Sequence, residues 1–179
     1  YTPSLKSFLP KFEVRTPLPI VPILIGPVLE IIRISSALRA IADLPIESLF
    51  LSFIDLKKME PIGNSVQIQG DFTEEKTQEE IKKNINGKVD VVMSDMAVDT
   101  TGIKNIDSIQ TGELCKEAMF FAKDLMKENG YFISKIFMGG TFNEIVAEGK
   151  KYFKEVKVFK PKSSRKVSKE SFIICRKIR

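Results

Sequence analysis

The sequence predicts an α/β fold, most simply a mainly parallel sheet with helices on both faces and an antiparallel strand at its end. Three observations carry this. From Ser48 onward, β-rich apolar runs alternate with stretches of helical periodicity. Residues 89–93 form a continuous apolar run apart from Asp90, the pattern of a strand covered on both faces. Asp55, Asp71 and Asp95 each follow a strand-like run, and in open parallel sheets ligands bind beyond the carboxyl ends of the strands.

The elements follow in order. Residues 49–54 read as a buried strand ending at Asp55, and 66–69 as a short strand ending at Gly70-Asp71. Residues 73–86 form a charged amphipathic helix, and 89–93 a strand ending at Ser94-Asp95. Residues 108–128 place Leu114, Ala118, Phe121, Ala122 and Leu125 at helical spacing, with Gly130 as a stop. Residues 131–137 are a further strand. Thr141 and Glu144 are spaced as a capping box for a helix to about Phe153. Residues 156–159 and 171–175 then flank a basic loop as a closing strand pair.

The first 50 residues obey other rules. Seven of the nine prolines lie in the first 45 residues, whereas nine of the ten glycines lie from Gly63 onward. One helix is expected there, over about 28–42, and the prolines argue against central strands around it. The apolar stretch 17–34 is interrupted by Pro19, Pro22, Gly26 and Pro27, which argues against a membrane span. It also lacks the form of a signal peptide, so a cytoplasmic protein is expected.

Composition narrows the chemistry. The 179 residues, 43% hydrophobic, suit a single domain with its own core. Lys and Arg exceed Asp and Glu by 28 to 23 and crowd the stretch after Lys150, which suits either a solvated surface or a polyanionic partner. There is no histidine, and Cys115 and Cys175 have no CxxC spacing, so no zinc site is expected and His-based catalysis is excluded. Both thiols read as buried small hydrophobes. Strand-end aspartates also cap following turns, but three in succession favour a common crevice.

Val91-Val92-Met93-Ser94-Asp95-Met96-Ala97 resembles the signature strand and loop of the FtsJ/RrmJ family of ribosomal RNA 2′-O-methyltransferases. Asp55-Leu56-Lys57-Lys58-Met59-Glu60-Pro61-Ile62 and Gln69-Gly70-Asp71-Phe72 resemble its cofactor-side motifs. Ser134-Lys135-Ile136-Phe137 resembles its catalytic-lysine strand, and Lys160 to Glu170 its closing loop. The resemblance covers residues 55–179. It implies a Rossmann-like S-adenosylmethionine-dependent fold, with 49–179 as catalytic core and 1–48 as a divergent or disturbed segment.

The same resemblance implies methyl transfer to a ribose 2′-hydroxyl, of a uridine of large-subunit ribosomal RNA, with no metal and no membrane. Asp55 would hold the cofactor's ribose and Asp71 its adenine edge, with Asp95 also beside the cofactor. Asp95, Lys135 and Glu170 would belong to the catalytic group, Lys135 acting either as base or as a charged stabiliser of the alkoxide. Lys160, Lys162, Arg165 and Lys166 would contact RNA phosphates. The family's glycine-rich loop and first catalytic lysine have no counterpart in residues 1–48, where Gly26 is the one glycine. A catalytically impaired RNA-binding homologue, and an enzyme acting on transfer RNA or a messenger cap, are therefore the alternatives.

Overall fold

The computed structural model describes residues 22–25, 52–58, 65–85, 87–97, 103–160, 168 and 170–179. The expected helix over 28–42 lies outside them. The described elements run β1 (Pro22–Ile25), β2 (Ser52–Asp55), β3 (Val66–Gln69), α1 (Glu75–Asn84), β4 (Val89–Ser94), α2 (Lys104–Leu125), β5 (Met126–Phe137), α3 (Phe142–Tyr152), β6 (Phe153–Phe159) and β7 (Glu170–Ile178). They build a seven-stranded sheet in the order β3-β2-β1-β4-β5-β7-β6. β1 to β5 are mutually parallel, and β7 is antiparallel to both β5 and β6.

The expected α/β fold is thus borne out, with one correction at its centre. Pro22–Ile25 is a central strand, paired in parallel with β2 on one side and β4 on the other. Pro22 stands at the first position of the strand, where a missing N–H removes the least from the ladder. Pro22 therefore marks the start of a central strand and does not exclude one.

Alternation along the strands produces two apolar faces. Ile54, Ile68, Val92, Phe132, Ile136, Ile173 and Cys175 belong to one continuous core with Ile81 of α1, Met119 of α2 and Ile145 of α3. Phe53, Val91, Met93, Tyr131, Ile133 and Ile174 are not part of that cluster and are buried as well. A parallel sheet needs this double cover, because strands joined by crossovers are buried on both sides. Complete burial of a side chain such as Phe132 is worth about 1.5–3 kcal/mol.

The helices lock to one another as well as to the sheet. Phe72 meets Phe121 edge to face with ring centroids 5.1 Å apart, and Gln78 Nε2 donates to Glu117 Oε1 at 2.9 Å, joining α1 to α2. Gly112 of α2 faces Thr141 and Ile145 at the start of α3, where a Cβ would come within 2.8 Å of Thr141 Oγ1.

Two further expectations are revised. Helix α2 starts earlier than residue 108 and ends at Leu125, because Met126 turns extended and pairs with Val89. Between Val89 and Val91 the ladder shifts, and β5 advances from Met126 to Tyr131 against those two residues of β4. Gly130 sits inside this irregularity and stops no helix. A Cβ there would lie 3.0 Å from both Asp90 O and Lys127 O, so the glycine permits backbones to touch. Nor does the capping box form. The side chain of Thr141 makes no cap hydrogen bond, and its Oγ1 donates instead to Ser108 O at 3.1 Å. Glu144 ion-pairs with Lys116 at 3.6 Å. Tertiary partners have displaced the local ones.

Two outcomes test this packing. At Gly70 an added Cβ would come within 2.6 Å of Thr77 Oγ1, on a β-branched side chain that is itself buried. Gly70→Ala is therefore expected to lower unfolding free energy by about 1–3 kcal/mol in a denaturant titration. Burial pushes the Cys115 thiol up to about 12 and raises Cys175 further. Neither thiol should react with iodoacetamide in the folded protein at about pH 8, and both should react once it is unfolded; rapid labelling of native protein would contradict this core.

Candidate active site

Parallel pairing brings the strand ends to one edge. Asp55 ends β2 opposite Gln69 of β3, and Ile25 of β1 lies opposite both Ile54 and Ser94. Along that edge the order is Asp71, Asp55, the end of β1, then Asp95. Connections run outward in both directions from β1 and β4, which makes this the topological switch point, where open sheets leave a crevice. The three aspartates predicted to share a crevice do line one edge.

Two of them also serve their own turns. Asp55 Oδ1 accepts from Lys57 N at 2.9 Å, and Asp71 Oδ1 accepts from Thr73 N at 2.9 Å and Thr73 Oγ1 at 2.8 Å. Capping and crevice-lining are thus compatible, since an ionised carboxylate has about four acceptor positions and these bonds orient it. Gly70 N donates to Asp55 O at 3.0 Å, tying the two loops together.

Asp95 is of another kind. It is 2% exposed, and its Oδ1 stands 2.9 Å from Lys135 Nζ, whose side chain is 12% exposed. Ser94 is opposite Ser134 in the ladder, so the next residue of each strand comes to the same place. A charge within an apolar strand needs such a partner, because an isolated ion there is prohibitively costly. Asp95 is that partner for Lys135.

Glu170 is placed differently. It is exposed at the first position of β7, opposite Phe137, while Lys135 lies opposite Phe172. Glu170 is therefore the diagonal neighbour of Lys135 on the same face, with Cα atoms about 7–8 Å apart for such a pair. It borders the Asp95–Lys135 pair at the mouth and forms no ion pair with Lys135 among the described residues. Lys160 is exposed and donates to Ser168 O at 2.6 Å, closing the base of the basic loop. Lys162, Arg165 and Lys166 lie outside the described residues.

Acceptors at Asp55 and Asp71 suit the hydroxyl and amino donors of a nucleoside, and a charged donor beside Asp95 suits an oxygen that gains negative charge. No group of three or more Cys, Asp or Glu among the described residues is placed to hold a metal ion. No described helix is long and apolar enough to cross a membrane.

The fold is that of the Rossmann-like methyltransferases. A human methyltransferase-like protein 13 solved in complex with SAH superposes with a TM-score of 0.65 at 12% identity, covering 96% of this chain and 78% of that one. A Plasmodium falciparum protein assigned as a ribosomal RNA methyltransferase superposes with a TM-score of 0.71 at 23% identity, over 91% of this chain and 89% of that one. The chain belongs to the FtsJ-like methyltransferase family, whose model matches residues 53–178.

Curated relatives named ribosomal RNA large subunit methyltransferase E are similar to it. That of Pelagibacter ubique is 67% identical over 126 residues, 70% of this chain and 62% of that protein. That of Rickettsia akari is 44% identical over 142 residues, 79% of this chain and 62% of that protein. The chain thus spans about three fifths of the length of these relatives.

The ion pair has a measurable consequence. Lys135→Ala leaves the Asp95 carboxylate buried without its ammonium and is expected to cost about 3–5 kcal/mol of stability. Lys135→Met combined with Asp95→Asn should recover most of that loss; equal melting of the single and double variants would show that the two charges are not coupled.

Proposed function

We propose that the chain transfers a methyl group from S-adenosylmethionine to a ribose 2′-hydroxyl of ribosomal RNA, on a uridine of the large subunit, in the cytoplasm. The observation that carries this reading is the Asp95–Lys135 pair, buried at the edge that Asp55 and Asp71 also line. Membership of the FtsJ-like family and the names of the relatives support it.

S-adenosylmethionine, when bound, supplies a methyl group already activated on a sulfonium. The residues then have three tasks. Asp55 accepts from the cofactor's ribose hydroxyls and Asp71 from its adenine edge, each carboxylate held by its turn. Asp95 holds Lys135 in place and stands beside the cofactor. Lys135 Nζ meets the 2′-oxygen of the substrate, and the ion pair supports its role as a charged donor that stabilises the negative charge developing there as the hydroxyl proton passes to solvent water. Glu170, at the mouth, orients the substrate ribose.

Much of the rate in such a displacement comes from alignment of nucleophile and donor, so positioning matters as much as proton handling. Calorimetric titration with S-adenosylmethionine should give one saturable site, weakened by Asp71→Ala. Lys135→Met is expected to lower kcat by about a hundred- to a thousandfold in transfer to ribosomal subunits while donor affinity is kept. Near-parental turnover of Lys135→Met would remove the proposed role. RNA affinity with no donor binding would identify an RNA-binding homologue without activity.

A further inference from the structure

The face of the sheet that carries Lys135 also carries three phenylalanines outside the main core. Phe172 of β7 lies directly opposite Lys135, Phe137 opposite Glu170, and Phe159 of β6 opposite Phe172. Lys135, Phe172 and Phe159 thus form one row across three strands, and Phe137 and Glu170 form the next row toward the catalytic edge. Opposed residues on neighbouring strands have Cβ atoms about 4.5–5.5 Å apart, so Phe172 starts one strand spacing from Lys135.

All three rings are half-buried. None belongs to the hydrophobic core or to the side chains packed against it, which lie on the other face with Phe132, Ile136 and Ile173. Further from the edge the face turns polar: Arg176 sits 5.1 Å from the Tyr131 ring centroid and ion-pairs with Glu155 at 3.5 Å. The apolar platform is therefore bounded, and it ends at the catalytic lysine. Lys157, on the same face opposite Ile174, and Lys160 beyond the end of β6 are both exposed and give it a cationic border.

We propose that Phe172, flanked by Phe137 and Phe159, is the stacking platform for the base of the nucleotide whose ribose is held at Lys135. Half-exposed rings offer flat apolar faces, every nucleobase has a complementary face, and the neighbouring ammonium groups match a phosphate backbone. A base paired within a duplex cannot present its face in this way, so the platform takes an unstacked, single-stranded or extruded nucleotide. The inference rests on the methyl-transfer reading for the position of the ribose, and it adds the residues that grip the base.

The test uses the full chain, a fluorescein-labelled single-stranded oligoribonucleotide followed by anisotropy, and S-adenosylmethionine followed by calorimetry. Phe172→Leu keeps apolar bulk and removes the ring; Phe172→Tyr keeps the ring. The leucine variant should bind the RNA about 5- to 100-fold more weakly, as expected for one lost base–ring stack. The tyrosine variant should bind as the parent does, and donor affinity should be unchanged in both. Parental RNA affinity in Phe172→Leu would overturn the platform, as would equal weakening in Phe172→Tyr. Lys135→Met separates the two readings: normal turnover there with RNA binding lost in Phe172→Leu removes the catalytic assignment and leaves the platform standing.

Discussion

The register between β4 and β5 is the constraint on which the site depends. With Ser94 opposite Ser134, the next residues along these strands, Asp95 and Lys135, meet as a buried ion pair 2.9 Å apart. A slip of one residue would reverse every side chain of β5 between the two faces, carrying Phe132 and Ile136 out of the core and Lys135 into it. The core therefore enforces the register, and the register assembles the pair. The shifted stretch between Met126 and Tyr131 absorbs the mismatch between the end of α2 and that register, held by Lys127 on both oxygens of Asp90 at 2.9 Å.

The edge of the sheet divides its labour by burial. Asp55 is partly exposed and Asp71 exposed, and each is oriented by a turn of its own loop. Asp95 is buried and oriented by a charge from another strand. Water screens an exposed carboxylate strongly and a buried pair weakly, so the Asp95–Lys135 interaction is the one in which electrostatic pre-organisation has most effect. The antiparallel strand β7 extends the same surface by setting Glu170 and Phe172 beside the lysine.

Much of this was legible without coordinates. The expected bounds of β3 coincide with the observed ones, and those of β4 and of the last part of β5 nearly do, because each carries a continuous or alternating apolar run bounded by polar residues; β6 begins before its expected start at residue 156 and β7 runs past its expected end at residue 175. Lys135 is legible through the family motif Ser134-Lys135-Ile136-Phe137, and the structure supplies Asp95 as its partner. The central strand β1 was not legible: four residues led by a proline carry too little pattern to distinguish a strand from a loop. The capping box at Thr141 misled because Ser108, 33 residues away in the chain, competes for the same hydroxyl.

The sequence by itself determined the alternation of strands and helices, the aspartates at the ends of β2, β3 and β4, and the family motifs from Asp55 to Glu170. Those are properties of neighbouring residues, and short-range periodicity suffices to write them. Tertiary structure alone decided that β1 stands between β2 and β4, that Asp95 rather than Glu170 pairs with Lys135, and that Phe172 lies beside that lysine. Each depends on which strand lies next to which and in what register. Those choices are made by the cooperative burial of both sheet faces, an energy that belongs to the assembled layers and to no single stretch of chain.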